Sequence, residues 1–127
     1  MFNESRIPQA ANSDAEFQLA ARFWNGMIRL DAGDTTYLLK IREGRVAAFA
    51  IAGPSEAEEF DVRISAPRED WDELLRPVPR PFYQDLMAAV WRQGFKLEGD
   101  LLGFAPYYQA MNRLFELMRT PRAERED

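Results

Sequence analysis

Between Phe82 and Met118 the chain carries more apolar surface than one helical face can hold. Phe82, Tyr83, Leu86, Met87, Val90 and Trp91 crowd one predicted helix. Leu101, Leu102, Phe104, Tyr107, Tyr108, Met111, Leu114, Phe115, Leu117 and Met118 crowd the next. A helix apolar nearly all round must cover its second face with more protein, an apolar ligand or a partner. Methionine and aromatic residues at helical spacing make ordinary core, and methionine is also adaptable enough to line a variable pocket. Pattern alone leaves both readings open.

At 127 residues there is room for one compact core, and 46% hydrophobic residues against 29% charged is enough to order it. The first ten residues show little pattern. Ser13-Asp14-Ala15-Glu16 then has the spacing of a capping box, with a helix expected from Ser13 to Asn25-Gly26. Met27 to Asp31 reads as a strand closed by the Ala32-Gly33-Asp34 turn. In Thr35 to Arg42, Tyr37, Leu39 and Ile41 alternate with Leu38, Lys40 and Arg42, the period of a half-buried strand. Glu43-Gly44 turns it into Arg45 to Ala52, where Ala47, Ala48, Ala50 and Ala52 leave room for a close-packed helix.

Phe60, Val62 and Ile64 alternate with Asp61, Arg63 and Ser65 in a further strand. Pro67 suits the first turn of a helix with Trp71, Leu74 and Leu75 on its buried stripe. Arg76 to Pro81 is a stiff connector, since three prolines remove donors and fix φ. Pro81 is expected to open the first apolar helix, Phe95 to Glu98 forms a short strand, and Leu101 to Thr120 forms the last helix, started or kinked by Pro106.

Composition removes most chemistry. There is no cysteine and no histidine, so thiol nucleophiles, disulfides, thiolate metal sites and serine–histidine catalysis are excluded. No cofactor is expected: phosphate loops and calcium loops are absent. A formal net charge of -5 repels nucleic acid and anionic bilayers. No apolar run approaches the roughly 18 to 20 residues of a membrane span, so stable membrane insertion is not expected; Met1 to Arg6 lacks the basic and apolar regions of a secretory signal, so a cytoplasmic location is expected. Carboxylates remain as acid–base candidates: Asp70 with Glu73, Asp31 with Asp34, and Asp61 beside Arg63. Helix-end charge, turn chemistry and solvated cross-strand pairing account for the same residues.

The order of elements resembles the sterol carrier protein type 2-like sterol-binding domain. The likeness is carried by Gly26-Met27-Ile28-Arg29-Leu30, Tyr37 to Gly44, Asp61-Val62-Arg63-Ile64-Ser65, Trp71-Asp72-Glu73-Leu74-Leu75 and Gly94-Phe95-Lys96-Leu97-Glu98-Gly99-Asp100. It implies an α+β fold: a mostly antiparallel five-stranded sheet covered on one face by helices enclosing an apolar tunnel. Residues 1–12 would be an N-terminal extension, 13–119 the domain and 120–127 a charged tail. The implied function is non-catalytic binding or transfer of a hydrophobic small molecule such as a lipid, fatty acyl chain, sterol or terpenoid.

The residues expected to line the tunnel are Phe82, Leu86, Val90, Trp91, Phe104, Tyr108, Met111, Leu114, Phe115 and Met118. Entry is expected beside the last helix. Two alternatives stand beside this reading. One is an accessory protein whose last helix forms a homodimer or docks on an enzyme partner; the other is a small carboxylate-based hydrolase or isomerase.

Overall fold

A computed structural model describes residues 2–53 and 55–119. In chain order the elements are α1 (Arg6–Asn12), α2 (Ala15–Ala21), β1 (Gly26–Ala32), β2 (Thr35–Arg42), β3 (Arg45–Ile51), a 3-10 turn (Glu56–Glu58), β4 (Val62–Ala66), α3 (Arg68–Leu74), α4 (Leu86–Arg92), β5 (Lys96–Gly99), α5 (Leu101–Phe104), a second 3-10 turn (Ala105–Tyr107) and α6 (Tyr108–Met118).

The strands form one sheet in the order β3-β2-β1-β4-β5. Three of its pairs are antiparallel and one, β1 with β4, is parallel, so the sheet is mixed. The β2–β3 hairpin turns on Glu43 (φ 49) and Gly44 (φ 76), two consecutive left-handed residues whose twist suits a two-residue hairpin. Gly44 is needed a second time over. Its N–H donates to Trp24 O at 3.0 Å, and a Cβ there would sit 2.9 Å from Ala21 O at the end of α2.

Strict alternation breaks in β3. A register shift pairs Lys40 with Ala48 but Ile41 with Val46, leaving Ala47 as the extra residue of a bulge. The bulge puts Val46 and Phe49, three positions apart, on the same buried face. It also corrects the expected role of the alanines: Ala47, Ala48 and Ala50 are exposed, although α1 packs on β3.

The helices cover the opposite, inner face. Ile28, Leu30, Tyr37, Leu39, Ile41, Val46, Phe49, Val62 and Ile64 meet Phe17, Trp71, Leu74, Leu86, Met111, Leu114 and Phe115 in one core. Burial of each such side chain contributes about 1.5–3 kcal/mol, which makes this layer the main source of stability. Chain leaving β3 crosses the outer face to reach β4, where Ala57 and Leu38 are buried apart from the main core and Ala57 O accepts from Arg29 Nη1 at 3.0 Å.

Two expectations about helix ends are corrected. The cap of α2 is Asp14, which accepts from Phe17 N at 2.8 Å, while Ser13 Oγ donates to Gln9 O at 2.6 Å and closes the preceding helix. That preceding helix, α1, lies where the sequence shows no pattern, and it sends Ile7 and Ala11 into the core together with Phe2. Pro81 does not open α4; Asp85 does, accepting from Ala88 N at 3.2 Å. Residues 81–85 are drawn out of helix by tertiary bonds: Tyr83 OH donates to Asp70 at 2.6 Å, and Arg119 Nη2 donates to Tyr83 O at 3.2 Å. The last helical stretch is divided at Pro106, as its proline foretold, into α5, a 3-10 turn and α6. The charged tail at 120–127 lies outside the described residues.

Candidate functional site

The apolar layer between α6 and the sheet has two ends of different construction. At one end Phe2, from the segment before α1, lies in a box of rings. Its ring meets Tyr37, Phe49 and Trp71 edge-on at centroid distances of 4.7, 5.6 and 5.5 Å. Tyr37 and Phe49 stack on each other across the β2–β3 pair, and Trp71 also meets Phe95 and Phe115. The Trp71 indole N–H donates to Asp31 O at 2.8 Å. This end is closed.

At the other end a pocket of about 110 Å³ opens to solvent between β1, β4 and α5. Ile28 and Val62 of the sheet and Phe104 of α5 form its apolar floor; Trp24, Asn25, Gly26, Asp61, Asp100 and Gly103 complete it. The walls are fixed by local bonds. Asp61 Oδ2 accepts from Met27 N at 2.7 Å, Asp100 caps α5 by accepting from Gly103 N at 3.0 Å, and Asn25 Oδ1 accepts from Glu43 N at 2.9 Å. Trp24 stacks on Tyr107 at 5.1 Å and meets Phe104 at 6.2 Å, so the indole joins α2 to the chain entering α6.

Trp24 is 3% exposed, yet its Nε1 makes no hydrogen bond to protein among the described residues. Nor is that atom sealed away, because among the described residues no buried side-chain nitrogen or oxygen lacks a partner. The indole N–H therefore opens on the pocket it lines.

Of the expected tunnel residues, Leu86, Phe104, Met111, Leu114, Phe115 and Met118 come together in the core, and Val90 packs against it. Phe104 alone of the ten borders the pocket just described. Tyr108 is half-buried; its OH donates to Asp85 and accepts from Met87 N at 3.2 Å, while Asn112 Nδ2 donates to Asp85 at 2.9 Å. Burial, with Asp85 as the next cause, raises the Tyr108 pKa. Phe82 is 43% exposed beneath Arg92, and Trp91 is 79% exposed, away from the layer. The apolar stripe of α6 is used inside the fold, leaving Gln109 and Glu116 outward.

Sequence reading missed the pocket residues Trp24, Ile28 and Val62 as site residues, and the box residues Phe2, Tyr37, Phe49 and Trp71. Trp24 had a signal: a large aromatic directly before the Asn25-Gly26 stop, where the helix that would bury it has ended.

The carboxylates form a separate system on the outer face. Asp31, buried, accepts from Arg29 Nε at 3.0 Å and Thr36 Oγ1 at 2.6 Å, and is bonded by Arg63 Nε. Burial raises its pKa, but the bonds from Thr36, Arg29 and Arg63 together outweigh it and hold the group below the usual carboxylate value. Arg63 thus pairs with Asp31, while its strand neighbour Asp61 is bonded to Met27 N. Asp70 holds the Tyr83 hydroxyl; that bond and burial push the phenol up to about 12. Among the described residues no cluster suited to a metal ion occurs, and no helix is long and apolar enough to cross a membrane.

This architecture is shared with solved structures. The chain is similar to a crystal structure of sterol carrier protein 2, with 24% identity, a TM-score of 0.74, and coverage of 94% of this chain and 97% of that one. It is similar to the solution structure of TT1886 from Thermus thermophilus, a conserved hypothetical protein described as a sterol carrier candidate (24% identity, TM-score 0.71, 94% and 87% covered). A third, described as the ubiquinone synthesis protein UbiJ-SCP2, has 17% identity, a TM-score of 0.60 and coverage of 94% and 89%. No family model and no curated protein matches the chain. The protein has the sterol-carrier-protein-2-like α+β fold.

Proposed function

We propose that this protein binds a hydrophobic small molecule, without transforming it, in the layer between α6 and the inner face of the sheet. The observation that carries the reading is the pocket at Ile28, Val62 and Phe104: inner-face residues of β1 and β4, part of the continuous core, are reached from solvent there. The sterol-carrier-like fold supports it. So does the break at Ala105–Tyr107, which separates α5 from α6 beside the pocket.

At about 110 Å³ the pocket admits a head group or chain end, and a longer molecule enters by displacing side chains along α6. Met111, Leu114, Phe115 and Met118 with Leu86 and Val90 are the surface it would meet. Each buried methylene is worth about 0.8 kcal/mol, so a chain of modest length reaches micromolar affinity without a specific polar contact.

The test is titration with N-phenyl-1-naphthylamine, an uncharged apolar fluorophore. The expected result is saturable uptake of one equivalent, competed by unlabelled lipid. Fluorescence that never saturates, or that lipid does not displace, contradicts the reading.

A further inference from the structure

We propose that Trp24 Nε1, Asp61 and the space left by Gly26 form a head-group subsite selecting an uncharged, hydroxyl-bearing end of an apolar molecule over a carboxylate. The inference rests on the binding reading above and adds to it the chemical class of the ligand's polar end.

The starting observation is an inconsistency in an otherwise satisfied structure. An indole N–H on a side chain 3% exposed ordinarily has a partner, and this one has none among the described residues although it borders an open pocket. Opposite lies an acceptor. A Cβ built on Gly26 would stand 3.2 Å from Trp24 Nε1 and 3.4 Å from Asp61 Oδ2, so a donor and an acceptor flank the bare face of Gly26 where it lines the pocket. Gly26 is not in a left-handed conformation, so the missing side chain keeps this space open without serving a turn.

A hydroxyl in the pocket in front of Gly26, between the two groups, accepts from the indole and donates to the carboxylate, using both of its functions. A carboxylate accepts from the indole but meets Asp61 and Asp100, both lining the pocket with no Lys or Arg among the lining residues. Like charges so placed select against it. An ammonium suits the two carboxylates but turns its protons toward the indole N–H, and the indole face is already covered by Tyr107.

The experiment is isothermal titration calorimetry of the full chain at pH 7.5 with 1-decanol, decanoate, decylamine and decane. The expected order places decanol at least tenfold tighter than decanoate and tighter than decylamine. Trp24→Phe keeps the ring on Tyr107 and removes the donor, and Gly26→Ala fills the subsite. Each should weaken decanol about three- to tenfold, the worth of one net hydrogen bond. Asp61→Asn with Asp100→Asn should raise decanoate affinity.

Equal affinity for decanol and decanoate, tighter binding of decylamine, or unchanged decanol preference in Trp24→Phe and Gly26→Ala would overturn the subsite. If decane binds while these fail, the carrier reading survives alone. If none of the four probes binds, the carrier reading falls and the subsite with it.

Discussion

Trp71 and Trp24 are buried almost alike, at 0% and 3% exposure, and both stand at the edge of the layer beneath α6. Their polar ends differ. Trp71 donates to Asp31 O at 2.8 Å inside a box of rings, whereas the Trp24 N–H opens on a pocket. In Trp71 the donor is used to join α3 to β1. In Trp24 the donor is left over, although the ring is fixed as firmly by Tyr107 and Phe104. Burial alone thus fails to separate structural from functional aromatics here, and the hydrogen-bond account does.

Substitutions can break that contrast. The largest effect is expected from Trp71→Ala, which empties the ring box and should cost about 3–5 kcal/mol in urea unfolding. Trp71→Phe keeps most of the ring but removes the indole bond to Asp31 O, with an expected loss of about 1–1.5 kcal/mol. Trp24→Phe removes an unpaired donor and should cost less than about 1 kcal/mol in the same assay. Equal losses for the two Trp→Phe variants would erase the distinction.

Acid sharpens it. The Asp31 carboxylate lies on the strand whose carbonyl holds Trp71, and its folded pKa is lowered; Asp14, bonded to Arg113 and Phe17 N, is lowered as well. Their stabilisation is complete above the ordinary carboxylate value near 4 and disappears as pH falls through the lower folded values. With no histidine in the chain, the melting temperature should be flat from pH 8 to 5 and fall below pH 4, less steeply in Asp31→Asn. A fall between pH 8 and 5 would contradict this. An effect as small as that of Trp24→Phe belongs to Arg113→Gln, which releases the partly exposed bonds to Asp14, Glu16 and Glu116 and should cost about 0.5–1 kcal/mol.

What the sequence disclosed follows the same physics. Period-two patterning located β2 and β4, and the two-residue Glu43-Gly44 turn located the hairpin, because each signal is local. The Ala47 bulge was hidden, since its purpose is to reconcile Val46 with Phe49 against the neighbouring strand. Phe2 was hidden because one aromatic has no period. Met111 and Trp91 looked alike in sequence: on helices apolar nearly all round, periodicity does not say which stripe meets the sheet, and the structure buries the first and exposes the second. Of the ten expected lining residues, Phe104 borders the open pocket, whose remaining walls come from the β1 and β4 ends, the turn after α2 and the start of α5. The β1 and β4 ends are far apart in the chain and are brought together by the parallel pairing of the two strands, which no local pattern announces.

The most direct test of the central claim is native mass spectrometry of the protein purified from its own host, followed by organic extraction and identification of what is released. The account predicts a monomer carrying one equivalent of an apolar molecule, uncharged and hydroxyl-bearing at its polar end. An empty chain that also takes up no lipid on incubation would contradict it, and would leave the layer beneath α6 as core alone.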